Sequence, residues 1–296
     1  MGALIDVPRE VLEICRAKIN LFLDVVGRRH DGFHELVTVF HEIDLADELT
    51  VREVHGAAAP RSVTLSLVDG SADHSDVPAG PQNLAARAAR ALLDEAGVSD
   101  SVHLQLTKNI PSRAGLGGGS ADAAGALRAV NRLLEFDIPD EDLLRIGARI
   151  GSDVPFLVRG GTALGRGRGE LLEPLPAAHG LQFLLLIPSF GIATAAVFGA
   201  LPVDLTPASS PAALRRALEL GDVAELVAAT HNALLGPALA VDARLDTLLC
   251  HARAKLGNGV QMTGSGSTLF LPGAFDAAPD MGGWPFATRG IVVGSA

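Results

Sequence analysis

A run of glycines between a predicted strand and a predicted helix is the feature that most restricts how this chain can fold. Apolar and polar residues alternate over 102–106, which predicts a strand. Four of the five residues from Gly115 to Gly119 are glycine, and apolar residues then recur at helical spacing from Ala123 to Leu134. Glycines let a backbone approach a ligand closely, and the N–H groups at a helix start attract anions. The pattern therefore predicts a phosphate-binding loop.

Two widespread kinds of phosphate loop do not match this segment. No Lys-Ser or Lys-Thr pair follows the glycines, which excludes a Walker A loop. A dinucleotide-binding fingerprint would lie near the start of a βαβ unit, with an acidic residue about 20 positions later. The simpler alternative is a flexible loop in which Ser120 caps the following helix. The glycine pattern by itself leaves both interpretations open.

The remaining segments alternate between strand and helix patterns, which is typical of a mixed α/β (α+β) protein. The predicted strands are residues 19–26, 37–43, 63–67, 102–106 and 183–187. The predicted helices are residues 84–96, a segment that begins near Ser120 and runs to 134, and residues 139–151, 214–229 and 243–256. A stretch rich in glycine and arginine at 160–169 indicates a boundary between two domains.

Composition excludes several classes of protein. The chain has 296 residues, 48% of them apolar, which is enough for a packed core and unlike a disordered chain. Its 34 acidic and 24 basic residues give a net charge of −10, which argues against nucleic acid or an anionic membrane as a partner. Cys15 and Cys250 form no CxxC pair, and Met1–Leu12 contains no uninterrupted apolar stretch. We therefore expect a cytoplasmic protein without disulfides, structural zinc or a membrane span.

Five segments resemble the motifs of the GHMP kinases, a family that phosphorylates small molecules. They are Arg16–Leu23, Gly27–Leu36, Pro111–Asp122, Ile150–Phe156 and Gln261–Ser267. The matches occur in the family's order, which makes the resemblance specific. The glycine loop and the sequence Asp-Gly-Phe-His at 31–34 are similar to one branch of this family, whose substrate carries a cytidine diphosphate.

The resemblance implies a two-domain GHMP kinase fold with the active site in the cleft between the domains. Residues 1–163 would form a domain of the ribosomal-S5-domain-2-like type, which carries the ATP loop and the catalytic lysine and aspartate. Residues 164–296 would form the GHMP carboxyl-terminal domain. The expected partner is a small molecule rather than nucleic acid or a membrane, and the expected assembly is a monomer or weak homodimer.

The same resemblance implies ATP-dependent phosphorylation of the 2-hydroxyl of 4-diphosphocytidyl-2-C-methyl-D-erythritol, in the non-mevalonate (MEP) pathway of isoprenoid and terpenoid biosynthesis. One alternative is a GHMP kinase that acts on another alcohol, such as homoserine or a mevalonate. A second is a non-catalytic relative that binds a nucleotide or sugar as a regulator. The Gly-Phe-His sequence argues against the first alternative, and the presence of both Lys18 and Asp153 argues against the second.

The glycine loop supplies the expected nucleotide-binding residues. They are Pro111, Ser112, Arg113, Ala114, Gly115, Leu116, Gly117, Gly118, Gly119, Ser120 and Ala121. Ala121 stands where the family commonly has a second serine. Any contact of that serine hydroxyl with the nucleotide phosphates or metal would here be made by Ser120 and by backbone N–H groups. No acidic pair has the spacing of a metal cage, so we predict no metal-ligating residue and expect the phosphates of ATP to hold Mg²⁺.

Lys18 and Asp153 are the expected catalytic residues. By the resemblance, Asp153 orients the hydroxyl or takes its proton. Lys18 would lower the pKa of that carboxylate and contact the reacting oxygen or the transferred phosphate. From the residues alone, Asp153 is equally consistent with a helix N-cap, and Lys18 with a lysine at the edge of a strand.

Five further residues are expected to bind the substrate. Asn20 lies on the same strand face as Lys18, and its amide would orient the substrate. Phe33, where the family commonly has tyrosine, and His34 would stack on a cytosine and hydrogen-bond its edge. Phe190 would cover the opposite face of the base, and Thr194 would add a contact. The simpler alternatives are a solvated histidine and a phenylalanine of the core.

Overall fold

The computed structural model describes residues 9–55, 61–176, 180–202, 205 and 210–296. Residues 1–8, on which the expectation about the amino terminus partly depends, lie outside this range. The sequence also predicts a loop at residues 202–211, and most of that segment lies outside this range as well.

Strands and helices alternate along the described chain, as the sequence pattern predicts. The strands are β1 (Glu10–Arg28), β2 (His34–Glu53), β3 (Val63–Val68), β4 (Val102–Thr107), β5 (Thr162–Gly167), β6 (Leu171–Pro174), β7 (Gln182–Ile187), β8 (His231–Asn232), β9 (Gln261–Met262), β10 (Leu269–Gly273) and β11 (Arg289–Gly294). The helices are α1 (Leu84–Ala96), α2 (Gly118–Leu133), α3 (Asp140–Ile150), α4 (Val154–Arg159), α5 (Thr194–Gly199), α6 (Ala212–Leu220), α7 (Val223–Ala229), α8 (Leu235–Val241) and α9 (Ala243–Leu256).

The chain forms two compact units. Unit 1 comprises the described parts of residues 1–16, 46–110 and 118–159, and unit 2 comprises those of residues 17–45, 111–117 and 160–296. The chain passes between the units several times, and its last passage lies between Arg159 and Gly160, close to the expected domain boundary. The division into family domains at residues 163 and 164 stays a prediction, because compact units follow spatial contacts and not the family's domain limits.

Unit 1 is a small sheet covered by helices. Strand β4 pairs in parallel with β3 and antiparallel with the second half of β2, from Glu48 to Glu53. Helix α1 packs on α2, and α2 packs on α3 and α4. The buried face of α2 is built largely from alanines, which lets the helices approach closely.

Unit 2 contains two groups of paired strands. The first half of β2 pairs with β5, which also pairs with β6, and β1 pairs in parallel with β8. A second sheet has the order β11-β7-β10-β9 and is antiparallel. Its apolar face packs with α8 and α9 into the core of the unit, to which Leu184, Leu186, Leu248 and Leu249 contribute.

Most predicted elements lie where the sequence placed them, but residues 214–229 form two helices instead of one. Gly221 adopts a left-handed conformation with φ 66°, which ends α6. The side chain of Asp222 then accepts a hydrogen bond from the backbone N–H of Glu225, 3.0 Å away, and caps α7. Among the described residues, no helix has the length and apolar character needed to cross a membrane.

Candidate functional site

The first part of the glycine loop, Pro111–Gly117, belongs to unit 2 and is held there by its carbonyl groups. The carbonyl oxygen of Ala114 accepts a hydrogen bond from the N–H of Thr268 at 3.2 Å, and that of Leu116 accepts one from the N–H of Lys18 at 3.0 Å. The loop carbonyls therefore point at the protein, so the loop does not present these negatively polarised oxygens to an anion. Gly115 and Gly117 both have positive φ, 78° and 74°, which glycine adopts without strain.

Lys18 lies against this part of the loop and is only 3% exposed. Its Nζ donates hydrogen bonds to the carbonyl oxygen of Gly115 at 2.8 Å and to Asn20 Oδ1 at 2.7 Å. Lysine is almost never this buried unless its charge has partners, so Lys18 is not a solvated side chain. The structure brings Lys18, Asn20 and the first part of the glycine loop together.

Asn20 is fixed on both sides of its amide. Its Oδ1 accepts from Lys18, and its Nδ2 donates to Thr38 Oγ1 at 2.8 Å. The hydroxyl of Thr38 in turn donates to the carbonyl oxygen of Phe22 at 2.7 Å. This network sets the direction of the lysine ammonium group. A direct contact between Asn20 and substrate stays a prediction.

The segment Gln261–Ser267, the last of the five motif-like segments, packs against the same loop. Thr263 Oγ1 accepts a hydrogen bond from the N–H of Asn20 at 2.9 Å. A Cβ atom on Gly115 would lie 2.3 Å from the carbonyl oxygen of Thr263, so only glycine fits at that position. The Nδ2 of Asn232 donates to the carbonyls of Met262 and Gly264 at 2.7 and 2.9 Å. Asn232 was missed by the sequence analysis, because a buried asparagine after a helix carries no local signal.

The second part of the loop belongs to unit 1 and begins α2 at Gly118, two residues before the predicted start near Ser120. The first N–H groups of this helix have no partner four residues earlier in a helix, which makes its start a suitable anion site. Ala121 is 1% exposed and contributes to the buried face of α2. A side chain at that position therefore packs in the interior, and Ser120 carries the hydroxyl at the helix start.

Asp153 lies in unit 1 directly before α4. Its carbonyl oxygen accepts a hydrogen bond from the N–H of Leu157 at 3.1 Å, which is typical of the residue that begins a helix. Two residues earlier, a Cβ atom on Gly151 would lie 3.7 Å from Ser120 Oγ. Within unit 1, the segment that carries Asp153 therefore lies beside the start of α2.

The predicted substrate residues His34 and Thr194 are connected in unit 2 by the short helix α5. Thr194 begins the helix, and its hydroxyl shares a hydrogen bond of 2.8 Å with Ser265 Oγ. One turn later, the ring of Phe198 lies 5.1 Å from the imidazole of His34, centroid to centroid. Residues four apart share a helix face, so α5 presents Thr194 and Phe198 on one side. That spacing was the signal by which Phe198, which the sequence analysis missed, could have been found.

His34 and Phe33 differ in their surroundings. Burial lowers the pKa of His34, and the charge of Arg28 lowers it further, so the imidazole is held neutral at pH 7. Its Nε2 is buried without a hydrogen-bond partner among the described residues. The ring of Phe33 is 50% exposed, and the guanidinium carbon of Arg168 lies 4.8 Å from its centroid. One face of this ring is therefore covered by a cation.

Phe190 is largely enclosed by protein, and its expected role in covering a base stays a prediction. Its ring belongs to the core of unit 2, with an edge-to-face contact to Phe286 at 5.3 Å. The guanidinium carbon of Arg244 lies 4.3 Å from the ring centroid. The ring is thus enclosed by protein groups, as expected for a core phenylalanine at the end of a strand.

Sequence comparison identifies the family. A family model described as the GHMP kinases N terminal domain matches residues 83–161. A 4-diphosphocytidyl-2-C-methyl-D-erythritol kinase from Pelotomaculum thermopropionicum is 40% identical over 265 residues, 88% of this chain and 88% of the relative. The enzyme of the same name from Mycolicibacterium vanbaalenii is 41% identical over 278 residues, 90% of this chain and 83% of the relative. The chain belongs to the 4-diphosphocytidyl-2-C-methyl-D-erythritol kinase family.

Solved structures agree with this family and confirm the predicted GHMP kinase fold. A crystal structure of 4-(cytidine 5'-diphospho)-2C-methyl-D-erythritol kinase matches with a TM-score of 0.76 and 33% identity, over 97% of this chain and all of that one. The mevalonate kinase of L. major has a TM-score of 0.73 at 16% identity, over 100% of this chain and 99% of that one. At that identity, the second match shows the shared fold alone.

The glycine loop has features that fit the nucleotide used by a kinase of this family. The loop is curled tightly through glycines and ends at the positive end of a 16-residue helix. In the described parts of the chain, no group of three His, Cys, Asp or Glu side chains is arranged to hold a metal ion.

Proposed function

We propose that this protein transfers the terminal phosphoryl group of ATP to the 2-hydroxyl of 4-diphosphocytidyl-2-C-methyl-D-erythritol. Relatives with 40% and 41% identity over most of the chain carry the name of this kinase. The structural observation that carries the proposal is the buried ammonium of Lys18, which is held by Asn20 and by the carbonyl of Gly115 in the glycine loop. A fixed positive charge beside a phosphate loop is what phosphoryl transfer requires.

In this proposal, residues 111–121 hold the triphosphate. The N–H groups at the start of α2 and the hydroxyl of Ser120 donate hydrogen bonds to the phosphate oxygens. Mg²⁺, when bound with the nucleotide, neutralises the charge that develops on the transferred group. The protein's contribution is to curl the loop, to orient these donors and to keep them in place before the nucleotide arrives.

Lys18 and Asp153 act on the acceptor hydroxyl and the transferred phosphoryl group. Asp153 orients the hydroxyl and accepts its proton as the oxygen bonds to phosphorus, while the bond from phosphorus to the leaving oxygen of ADP breaks. Lys18 supplies positive charge to the transferred group, and Asn20 keeps its ammonium directed.

The cytosine would bind beside His34 in unit 2. Three observations support this position: the buried Nε2 of His34 has no partner among the described residues, Phe198 packs at 5.1 Å from its ring, and Phe33 is half exposed. A neutral imidazole can donate or accept one hydrogen bond at a base edge, and the rings offer stacking surfaces. Thr194, on the same face of α5 as Phe198, would contact the substrate nearby.

The test is a phosphorylation assay on the purified protein with three alcohols: the cytidyl erythritol, homoserine and mevalonate. We expect ATP consumption with the first alone, and a new phosphomonoester signal in the ³¹P NMR spectrum. K18M and D153N should each lower kcat by about 100-fold or more, since both groups act in the transition state. K255M and D140N, which change exposed residues of the same types, are the matched controls and should retain activity.

Each other outcome of this assay contradicts a defined part of the proposal. Turnover with homoserine or mevalonate instead would refute the substrate. Turnover that is indifferent to D153N would show that Asp153 has no essential catalytic role. Binding of ATP and the cytidyl substrate without turnover would indicate a ligand-binding regulator. We also propose that the enzyme acts in the cytoplasm as a monomer or weak homodimer.

A further inference from the structure

Unit 1 buries three charged side chains in one cluster. Asp47, Lys108 and Asp122 are 0%, 3% and 1% exposed, and they come from β2, from the residue after β4 and from α2. The Nζ of Lys108 donates to Asp122 Oδ2 at 2.7 Å and also to Asp47 Oδ2. We call these three residues the charged cluster. Apolar residues of similar volume commonly stabilise a fold as well as a buried ion pair does, so stability alone does not explain the cluster.

The charged cluster holds the chain immediately before the glycine loop. Asp47 Oδ1 accepts hydrogen bonds from the backbone N–H groups of Asn109 and Ile110, the latter at 2.8 Å. The ammonium of Lys108 adds a bond to the other oxygen of the same carboxylate. Asp47 of β2 therefore holds two backbone N–H groups and the lysine side chain of this short segment.

The charged cluster also holds the chain immediately after the loop. Asp122 lies four residues into α2, so its bond to Lys108 fixes the beginning of that helix. A Cβ atom on Gly118 would lie 3.0 Å from Ile110 Cγ2 and 3.6 Å from Lys108 Nζ. Ile110 and Gly118, the residues on either side of 111–117, therefore lie close together beside the charged cluster.

We propose that Asp47, Lys108 and Asp122 are positioning residues that set the start of α2 for nucleotide binding. The ammonium of Lys108 donates hydrogen bonds to both carboxylates, and the cluster is buried. These groups therefore do not contact the phosphates themselves. They act by fixing where the loop begins and ends. A small displacement of those two points would move the N–H groups of Gly118–Ser120 away from the phosphate oxygens.

The role of Asp122 in this cluster depends on its length more than on its charge. Its Oδ1 has no hydrogen-bond partner among the described residues. Burial raises the pKa of Asp122, and the negative charge of Asp47 raises it further against the opposing effect of Lys108. A neutral side chain of the same shape therefore keeps the bond to Lys108, whereas a longer acid pushes α2 away from it.

The inference rests on the proposed function, namely that residues 111–121 hold ATP, and the experiment separates the two. The variants are D122E, which keeps the charge and adds one methylene, and D122N, which keeps the length. R132Q, an exposed cation on the same helix, is the matched control. For each protein we would measure kcat, the KM of each substrate, and calorimetric binding of a non-hydrolysable ATP analogue. Wild type that fails to bind the analogue refutes the proposed function, whatever the variants do.

We expect D122E to raise the KM for ATP and to weaken analogue binding by about 10-fold or more, with the KM of the alcohol within about twofold. D122N should have a smaller effect than D122E on both nucleotide measurements, and R132Q should resemble wild type. Equal effects on both substrates, D122E equal to wild type, or D122N worse than D122E would each overturn the proposal.

A measurement on the wild-type protein keeps the test decisive if D122E does not fold. In hydrogen exchange without nucleotide, the amides of Asn109 and Ile110 should be protected like those of β4, because Asp47 binds both. The analogue should add little protection there. Exchange of these two amides as fast as in an unfolded chain would overturn the proposal, since the glycine loop would then have no fixed starting point.

Discussion

Protonation of His41 should make the folded protein lose stability in acid. The imidazole is 3% exposed in unit 2, with Nδ1 2.8 Å from Thr162 Oγ1 and Nε2 3.1 Å from Ser295 Oγ. The hydroxyl of Ser295 also donates to the carbonyl oxygen of Leu181, so it accepts from Nε2, and Nδ1 accepts from Thr162. These bonds satisfy the neutral ring. Burial lowers the pKa of His41 to about 4 from 6.5.

The size and sign of the effect follow from this pKa. In the unfolded chain His41 takes up a proton near pH 6.5, but in the folded protein only near pH 4. Between these values the unfolded state binds more protons, so the stability present above pH 6.5 is lost as the pH falls. The slope is about 1.4 kcal/mol per pH unit and the total is roughly 3 kcal/mol, a large part of a typical free energy of unfolding.

The assay is urea unfolding followed by circular dichroism between pH 4.5 and 7.5, on wild type and H41Q. H41Q should be less stable at pH 7.5, because glutamine does not reproduce the ring's packing. The difference between the two proteins should shrink as the pH falls, by about 2 to 3 kcal/mol across this range. H30Q, which changes an exposed histidine, controls for the general loss of an imidazole. Parallel curves for wild type and H41Q would refute the reasoning.

Two further predictions concern glycines. A Cβ atom on Gly125 would lie 2.2 Å from Cys15 Sγ but 3.6 Å from Cys15 Cβ, so G125A should lower the free energy of unfolding in urea by roughly 1–3 kcal/mol. The double variant C15A/G125A should recover most of the lost stability. Simple additivity of the two single changes would contradict this clash. Gly115 has positive φ, and a Cβ atom there would lie only 2.3 Å from the carbonyl oxygen of Thr263. G115A should therefore lose binding of the ATP analogue, as measured by calorimetry. G236A is the control and should bind normally, because the space around a Cβ atom at that position is open. Full binding by G115A would show that the loop tolerates rearrangement.

Local sequence signals were sufficient for elements whose limits are set by neighbouring residues. Helices α1 and α9 span the predicted residues because a glycine follows each one directly. Strands β1 and β2 are much longer than predicted. The added part of β1 alternates in burial, but its exposed face carries the apolar residues Leu12 and Ile14, so the residue types in the sequence do not show the alternation of a half-buried strand. Burial in the folded molecule, which local pattern does not contain, decided how far these strands extend.

The candidate site divides in the same way. The glycine loop and the family it belongs to could be recognised from order and spacing, because close backbone approach to a phosphate demands glycine at particular positions. Order and spacing could not show which of two nearby phenylalanines, Phe190 or Phe198, lies beside His34. Phe190 follows β7 and Phe198 lies in α5, and the packing of unit 2 placed Phe198 beside His34 at the margin of the core that contains Phe190.

The sequence by itself therefore determined the kind of loop, the order of strands and helices, and the family. Tertiary structure alone decided which distant residues meet. Lys108 is one of three lysines and has no distinguishing neighbours in the sequence, yet it lies between Asp47 and Asp122, which are 61 and 14 residues away. The physical reason is that burial and charge pairing are properties of the surroundings of a side chain, and those surroundings are assembled from segments far apart in the chain.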